Sequence, residues 1–214
     1  MKALVLDFGG PVIRTPFELR HYGEAAAGLP PGTLAWAGPF DPGSDADWRA
    51  MQAGDITERE YWQHRADEFA ELTGAPATYN GLLAGLYTAD EADLVRTEAV
   101  DLIADARRRG LAVAVLTNDL RAFHGPEWVE RMTVLTTIDV MVDGSLEGVL
   151  KPDPRIYHLV TQRLGVAPHD CLFVDDQPGN VAGAVAVGMS AVWFDVTDPA
   201  ASFAAVYAAL DAAG

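Results

Sequence analysis

Apolar residues along this chain follow two rhythms. Short, nearly unbroken apolar runs occur at residues 3–6, 111–116, 138–142, 171–174 and 190–194, and each stops at a polar or glycine-containing turn. Runs of that length, rich in Val, Leu, Ile and Phe, predict strands covered on both faces. Elsewhere apolar positions recur at helical spacing. Thr15-Pro16 before Phe17-Glu18-Leu19-Arg20 starts a helix, with proline at the first helical position. Residues 28–43 are rich in proline and glycine and read as a loop with one helical turn near Thr33–Trp36. Further helices are expected over residues 45–53, from the capping box at Thr57 and Glu60 to about Thr73, and over 79–87. Residues 89–109 read as one long amphipathic helix closed by Gly110, with arginines in its last turn. Helices over 126–132, 155–164, 181–187 and 199–213 complete the pattern.

Strands alternating with helices predict an α/β fold with a parallel sheet covered on both faces. Residues 15–88 break the alternation by adding helices without a strand. They are read as an inserted helical cap domain, which leaves residues 1–14 and 89–214 as the core domain. Trp36, Trp48, Tyr61 and Trp62 are read as the cap's own apolar core.

Polar residues gather where the apolar runs end. Asp7 follows the first run and leads into Phe8-Gly9-Gly10; Thr117-Asn118 follows the second; Lys151 opens Lys-Pro-Asp-Pro; Asp175-Asp176 closes the fourth. Carboxyl ends of parallel strands converge on one edge of the sheet. Each element has a plainer reading. The acid pair suits a helix cap, Thr117-Asn118 suits a turn, and Lys151 suits the surface. Together, however, they put three carboxylates beside one ammonium. Such carboxylates repel unless a cation is present, and an oxygen-only donor set suits Mg²⁺. A carboxylate so placed can attack phosphorus. Thr117, Asn118 and backbone N–H groups after Asp7, Gly10 among them, can hold the transferred oxygens, while Lys151 and the ion stabilise developing charge.

The order Asp7-x-x-Gly10, Leu116-Thr-Asn118, Lys151-Pro-Asp-Pro154 and Val174-Asp-Asp-x-x-Gly-Asn180 resembles the four motifs of the haloacid dehalogenase superfamily of aspartate-nucleophile hydrolases. The likeness spans the whole chain. It implies a Rossmann-like core with a helical cap that selects substrate. It also implies a Mg²⁺-dependent phosphatase of a small phosphorylated metabolite, acting through an aspartyl-phosphate. By the same resemblance, Asp7 is nucleophile and metal ligand, Gly9 a ligand through its carbonyl, Asp176 a direct ligand and Asp175 an orienting or water-mediated one. Thr117 and Asn118 bind the transferred group, and Lys151 balances charge. One position departs from the family pattern, where a second Asp two residues after the nucleophile usually serves as acid and base. Here it is Gly9. General acid–base help is typically worth roughly 10²–10⁴-fold. The gap implies a good leaving group, slow turnover, or an acid from substrate or cap, where His21, Asp55 and His64 are candidates. Two alternatives follow: a 2-haloacid dehalogenase, whose halide needs no proton, and an inactive protein that binds a phosphorylated ligand.

Charge narrows the partners. There are 31 acidic and 15 basic residues, a net charge of −16. Such a surface repels nucleic acid and anionic lipid, so neither is expected as a partner. Arg14 and Arg20, near the expected cap entrance, are candidates to meet an anionic substrate. A single cysteine, Cys171, excludes a disulfide within the chain. No apolar stretch reaches the ~20 residues of a membrane span, and no charged-then-apolar leader precedes the first strand. A soluble, cytoplasmic protein is expected. Gly9-Gly10 lacks the spacing of a dinucleotide loop, and the five histidines are scattered without ligand spacing.

Overall fold

The computed structural model describes Met1–Ala212. Among these residues, β1 (Ala3–Leu6), β2 (Ala112–Thr117), β3 (Val140–Asp143), β4 (Cys171–Asp175) and β5 (Ser190–Trp193) form one parallel sheet in the order β3-β2-β1-β4-β5. The chain steps outward from β1 to β2 and β3, then returns past β1 to β4 and β5. The crevice at such a reversal is where open α/β sheets hold ligands. Register decides what meets there. Leu6 pairs with both Val115 and Val174, so Asp7, the next residue, is level with Asp175, and its amide donates to the Val174 carbonyl at 2.8 Å.

Helices in chain order are α1 (Pro16–Ala27), α2 (Ala46–Ala53), α3 (Glu58–Thr73), α4 (Tyr79–Leu86), α5 (Glu91–Leu94), α6 (Thr97–Arg108), α7 (Leu120–His124), α8 (Pro126–Arg131), α9 (Gly144–Glu147), α10 (Pro154–Leu164), α11 (Pro178–Ala186) and α12 (Pro199–Ala212). Ala213, included in the expected closing helix, lies outside the described residues. Side chains alternate across a strand. Ala3, Val5, Ala114, Leu116 and Phe173 join Ile156, Tyr157 and Val160 of α10 and Ala184 of α11 in one buried cluster. Helices α6 and α12 pack against each other, α6 on β2 and α12 on β4 and β5.

The chain divides into two compact units. One holds Met1–Arg14, Glu91–Arg121 and the chain from Pro126 onward; the other holds Thr15–Asp90 with Ala122–Gly125. The second unit contains α1 to α4. Its core is aromatic: Trp36, Trp48, Tyr61 and Trp62 are buried around Phe17, with ring centroids 5.2–6.1 Å away. Gly38, at φ +51°, lies so close to Phe17 that a Cβ would come within 2.4 Å of the ring. Asp45 anchors the cluster by accepting from the Tyr61 hydroxyl at 2.8 Å and the Trp48 amide at 2.9 Å.

Local expectations fail where tertiary contacts intervene. The single helix expected over 89–109 is two, broken at Val95-Arg96. There Val95 pairs with Ile13 as an antiparallel bridge, and the Arg96 amide donates to the Val12 carbonyl at 2.9 Å. The Val95 amide still donates to the Glu91 carbonyl at 2.8 Å, but the Arg96 amide and the Leu94 carbonyl, which accepts from the Arg14 amide at 2.8 Å, are diverted from the ladder despite good helical propensity. The turn expected near Thr33–Trp36 is a 3₁₀ turn at Gly38–Phe40. Helices α7 and α9 are too short to show periodicity; α9 is set by the Asp143 side chain, which accepts from the Ser145 amide at 3.0 Å. Among the described residues no helix is long and apolar enough to cross a membrane.

Candidate active site

At the carboxyl edge of the sheet, Asp7, Asp175 and Asp176 each place one carboxylate oxygen within 4.8 Å of the others. The Lys151 ammonium lies between two of them, 2.8 Å from Asp7 Oδ1 and 2.6 Å from Asp175 Oδ2. Its side chain is 2% exposed. Asp175 is fully buried and saturated with donors. Its Oδ1 accepts from the Gln177 amide at 2.8 Å and Asn180 Nδ2 at 3.0 Å, and its Oδ2 from Lys151 and from Asn180 Nδ2 at 3.2 Å. The turn that permits this is local. Gln177 is the N-cap of α11 and Pro178 stands at its start, where a missing N–H is harmless.

The other expected ligands divide. Thr117 ends β2, is buried, and its hydroxyl makes no hydrogen bond among the described residues. Asn118 is already engaged: Oδ1 accepts from the Lys151 amide at 2.7 Å, and Nδ2 donates to the Lys151 carbonyl at 3.3 Å. The Gly10 amide donates to the Ile13 carbonyl at 2.9 Å. The Asn118 side chain and the Gly10 amide, both expected at the transferred group, thus already have partners within the chain. Asn118 clamps the backbone that carries Lys151, and Gly10 shapes a turn. At φ +86° only glycine is at ease, and a Cβ on Gly10 would sit 3.0 Å from Asp176 Cγ. Gly9 is open by contrast, since a Cβ there meets only Asp7 Oδ2, at 4.0 Å.

Burial pushes the Asp7 carboxyl up to about 7; the Lys151 ammonium opposes this and the charge of Asp175 adds to it. For Lys151, burial works against the charged form, but the charges of Asp175 and Asp7 outweigh it and raise its pKa. Three acidic groups face one basic group, all with hard oxygen donors. That excess of negative charge fits a divalent cation such as Mg²⁺ beside Asp7 and Asp176.

Other candidates have ordinary partners. Arg14 Nη1 donates to the Asp93 carbonyl, and Arg20 Nη1 to the Trp36 carbonyl at 2.7 Å. His21 Nδ1 lies 3.0 Å from the Glu18 carbonyl, His64 Nδ1 lies 3.1 Å from Asp47, and Asp55 is exposed. Burial lifts the Cys171 thiol to about 11. Sequence reasoning missed two supporting residues. Buried Arg96 donates from Nε to the Gly10 carbonyl at 2.6 Å, and Trp193 Nε1 donates to the Asp176 carbonyl at 2.8 Å. Neither carries a local signal, because its partner is 86 or 17 residues away.

A haloacid dehalogenase-like hydrolase profile matches residues 1–188, and the chain belongs to that family. It is 31% identical over 202 residues to acyl-CoA dehydrogenase family member 10 of Mus musculus, covering 91% of this chain and 18% of that protein. It is 33% identical over 161 residues to phosphoserine phosphatase of Thermus thermophilus, covering 75% of this chain and 62% of that protein. The chain thus spans less than two thirds of either curated relative. Among solved structures, its fold is shared with L-2-haloacid dehalogenase from Xanthobacter autotrophicus, at a TM-score of 0.57 and 20% identity over 90% of this chain and 77% of that one.

Proposed function

We propose that this hydrolase is a Mg²⁺-dependent phosphatase of a small phosphorylated metabolite, with Asp7 as nucleophile. The observation that carries this reading is the Lys151 ammonium seated between Asp7 and Asp175, with the Asp176 carboxylate in the same cluster. Lys151 holds Asp7 Oδ1, which leaves Oδ2 to attack phosphorus. The bond from phosphorus to the ester oxygen breaks, and the alcohol departs with a proton from solvent or substrate. Water then attacks the aspartyl-phosphate, freeing inorganic phosphate and restoring Asp7. The Thr117 hydroxyl donates to a non-bridging oxygen, and Lys151 offsets the charge that builds up. Asp7, Asp176 and the Gly9 carbonyl would hold Mg²⁺, with Asp175 orienting, and the ion would supply charge neutralisation at the phosphoryl oxygens. Gly9 offers no side chain to protonate the leaving group, which favours esters of acidic alcohols. The helical unit around α1 to α4 is the proposed cap that selects among them. Likeness to a phosphoserine phosphatase supports phosphate esters as the substrate class.

A dehalogenase reading draws on Gly9, since a departing halide needs no proton, and on the fold shared with a haloacid dehalogenase. The test is a panel of phosphate monoesters, p-nitrophenyl phosphate included, assayed with Mg²⁺. Asp7→Asn and EDTA should each reduce turnover to background. Hydrolysis that survives both refutes the mechanism. Chloride release from 2-chloropropionate without added metal would select the dehalogenase instead.

A further inference from the structure

One large aromatic in the unit that holds the sheet stands half in solvent at the carboxyl edge. Trp193 is the last residue of β5, 50% exposed, and pairs in register with Asp175. Backbone pairing of β4 with β5 closes when the Phe194 amide donates to the Asp175 carbonyl at 2.9 Å. Asp176 lies one residue further on, and the chain enters α11 two residues later. Its carbonyl has left the ladder, and the residue at the start of α11 is a proline with no N–H to offer. The Trp193 indole donates to that carbonyl at 2.8 Å.

Water can satisfy an exposed carbonyl without leaving apolar surface in solvent, so satisfaction alone does not call for tryptophan here. What the indole adds is position. It is a rigid ring with one donor, anchored to the last residue of a strand. Other contacts hold the Asp176 side chain: Gln177 Nε2 donates to Oδ2 at 3.3 Å, and Gly10 approaches so closely that a Cβ would lie 3.0 Å from Cγ. Asp175 is fixed by three donor groups on its own carboxylate. For Asp176, the bond from Trp193 holds the backbone from which the carboxylate projects.

We propose that Trp193 is a positioning residue of the metal centre: its indole N–H fixes the Asp176 backbone so that the Asp176 carboxylate joins that of Asp7 around a divalent cation. This rests on the Mg²⁺ reading above. It also makes the ring a reporter, because its one donor is tied to the residue that would hold the ion.

Trp193→Phe keeps an aromatic ring and removes only the donor. EDTA-stripped full-length wild type and variant are titrated with Mg²⁺ by calorimetry. The dissociation constant should rise about 3–10-fold in the variant, the range for one neutral hydrogen bond, with the thermal midpoint in EDTA unmoved. With p-nitrophenyl phosphate, the Mg²⁺ needed for half-maximal rate should rise by the same factor, and the rate should recover as Mg²⁺ is raised. The Mg²⁺-dependent change in tryptophan emission should diminish. A variant that binds Mg²⁺ as tightly as wild type overturns the proposal. Wild type that fails to bind Mg²⁺ overturns both this proposal and the metal reading. Wild type that binds Mg²⁺ ahead of Trp193→Phe, yet hydrolyses no ester, supports this proposal and sinks the phosphatase alone.

Discussion

Removing the ammonium of Lys151 separates the electrostatics of the site from its shape. Lys151→Met keeps an unbranched stem of similar volume and takes away the charge. In the native protein that charge lies 2.8 Å from Asp7 and 2.6 Å from Asp175, with the Asp175 side chain 0% exposed. Taking one partner from a buried ionic cluster costs about 3–5 kcal/mol, because the remaining charges are stranded. At this size each kcal/mol lowers the thermal midpoint by roughly 2–4 °C, so a drop of about 6–20 °C is expected in EDTA. The drop has a sign in pH. Burial already raises Asp7 from 3.8 to about 7 with Lys151 present. A carboxyl raised on folding holds its proton more tightly folded than unfolded. Its contribution is complete below 3.8 and is lost as pH rises through the folded value. Without Lys151 that value moves higher, so the share of the deficit that comes from Asp7 should be absent near pH 5 and grow as pH rises above about 7, by at most about 1.4 kcal/mol per unit. Mg²⁺ should restore part of it by replacing the lost positive charge. Thermal melts of both proteins at the two pH values, with EDTA and with Mg²⁺, measure this. A variant as stable as wild type at the higher pH in EDTA would refute the electrostatic account.

Three substitutions test the remaining groups. Gly9→Asp has room, since the nearest atom to its Cβ is Asp7 Oδ2 at 4.0 Å. It should raise kcat toward the roughly 10²–10⁴-fold that acid–base help supplies, most for esters of basic alcohols; an unchanged rate means that leaving-group protonation is not limiting. Asn118→Ala frees both backbone groups of Lys151. It should cost about 1–3 kcal/mol in urea melts and lower kcat more than it raises KM; a rise in KM alone would mean that Asn118 binds substrate. Thr117→Val should lower kcat/KM about tenfold, as expected for one hydrogen bond to a charged oxygen. The melt should be unchanged, because the hydroxyl has no partner among the described residues; a destabilised variant would contradict that.

The sheet and the membership of the site were legible in the sequence for a common reason. Apolar runs mark buried strands, and in a parallel sheet their polar endings share an edge, so Asp7, Thr117, Lys151 and Asp175-Asp176 announce themselves one at a time. The aromatic core around Phe17 was legible too, since large aromatic side chains gathered in one short stretch of chain have few other places to go. The break at Val95-Arg96 was not. Helical periodicity runs straight through it, and only the bridge to Ile13 shows why the ladder stops.

Sequence alone determined which chemical groups end each strand and in what order, because strand period and turn chemistry act over a few neighbouring residues. Tertiary structure decided which of those groups are still free. Each amide and carbonyl tends to take the partner nearest in space, and the decisive ones here lie 17, 33 and 86 residues apart. Asn118 therefore became a clamp on Lys151, Gly10 a close-packed turn, and Trp193 a support for Asp176, while the Thr117 hydroxyl makes no hydrogen bond among the described residues.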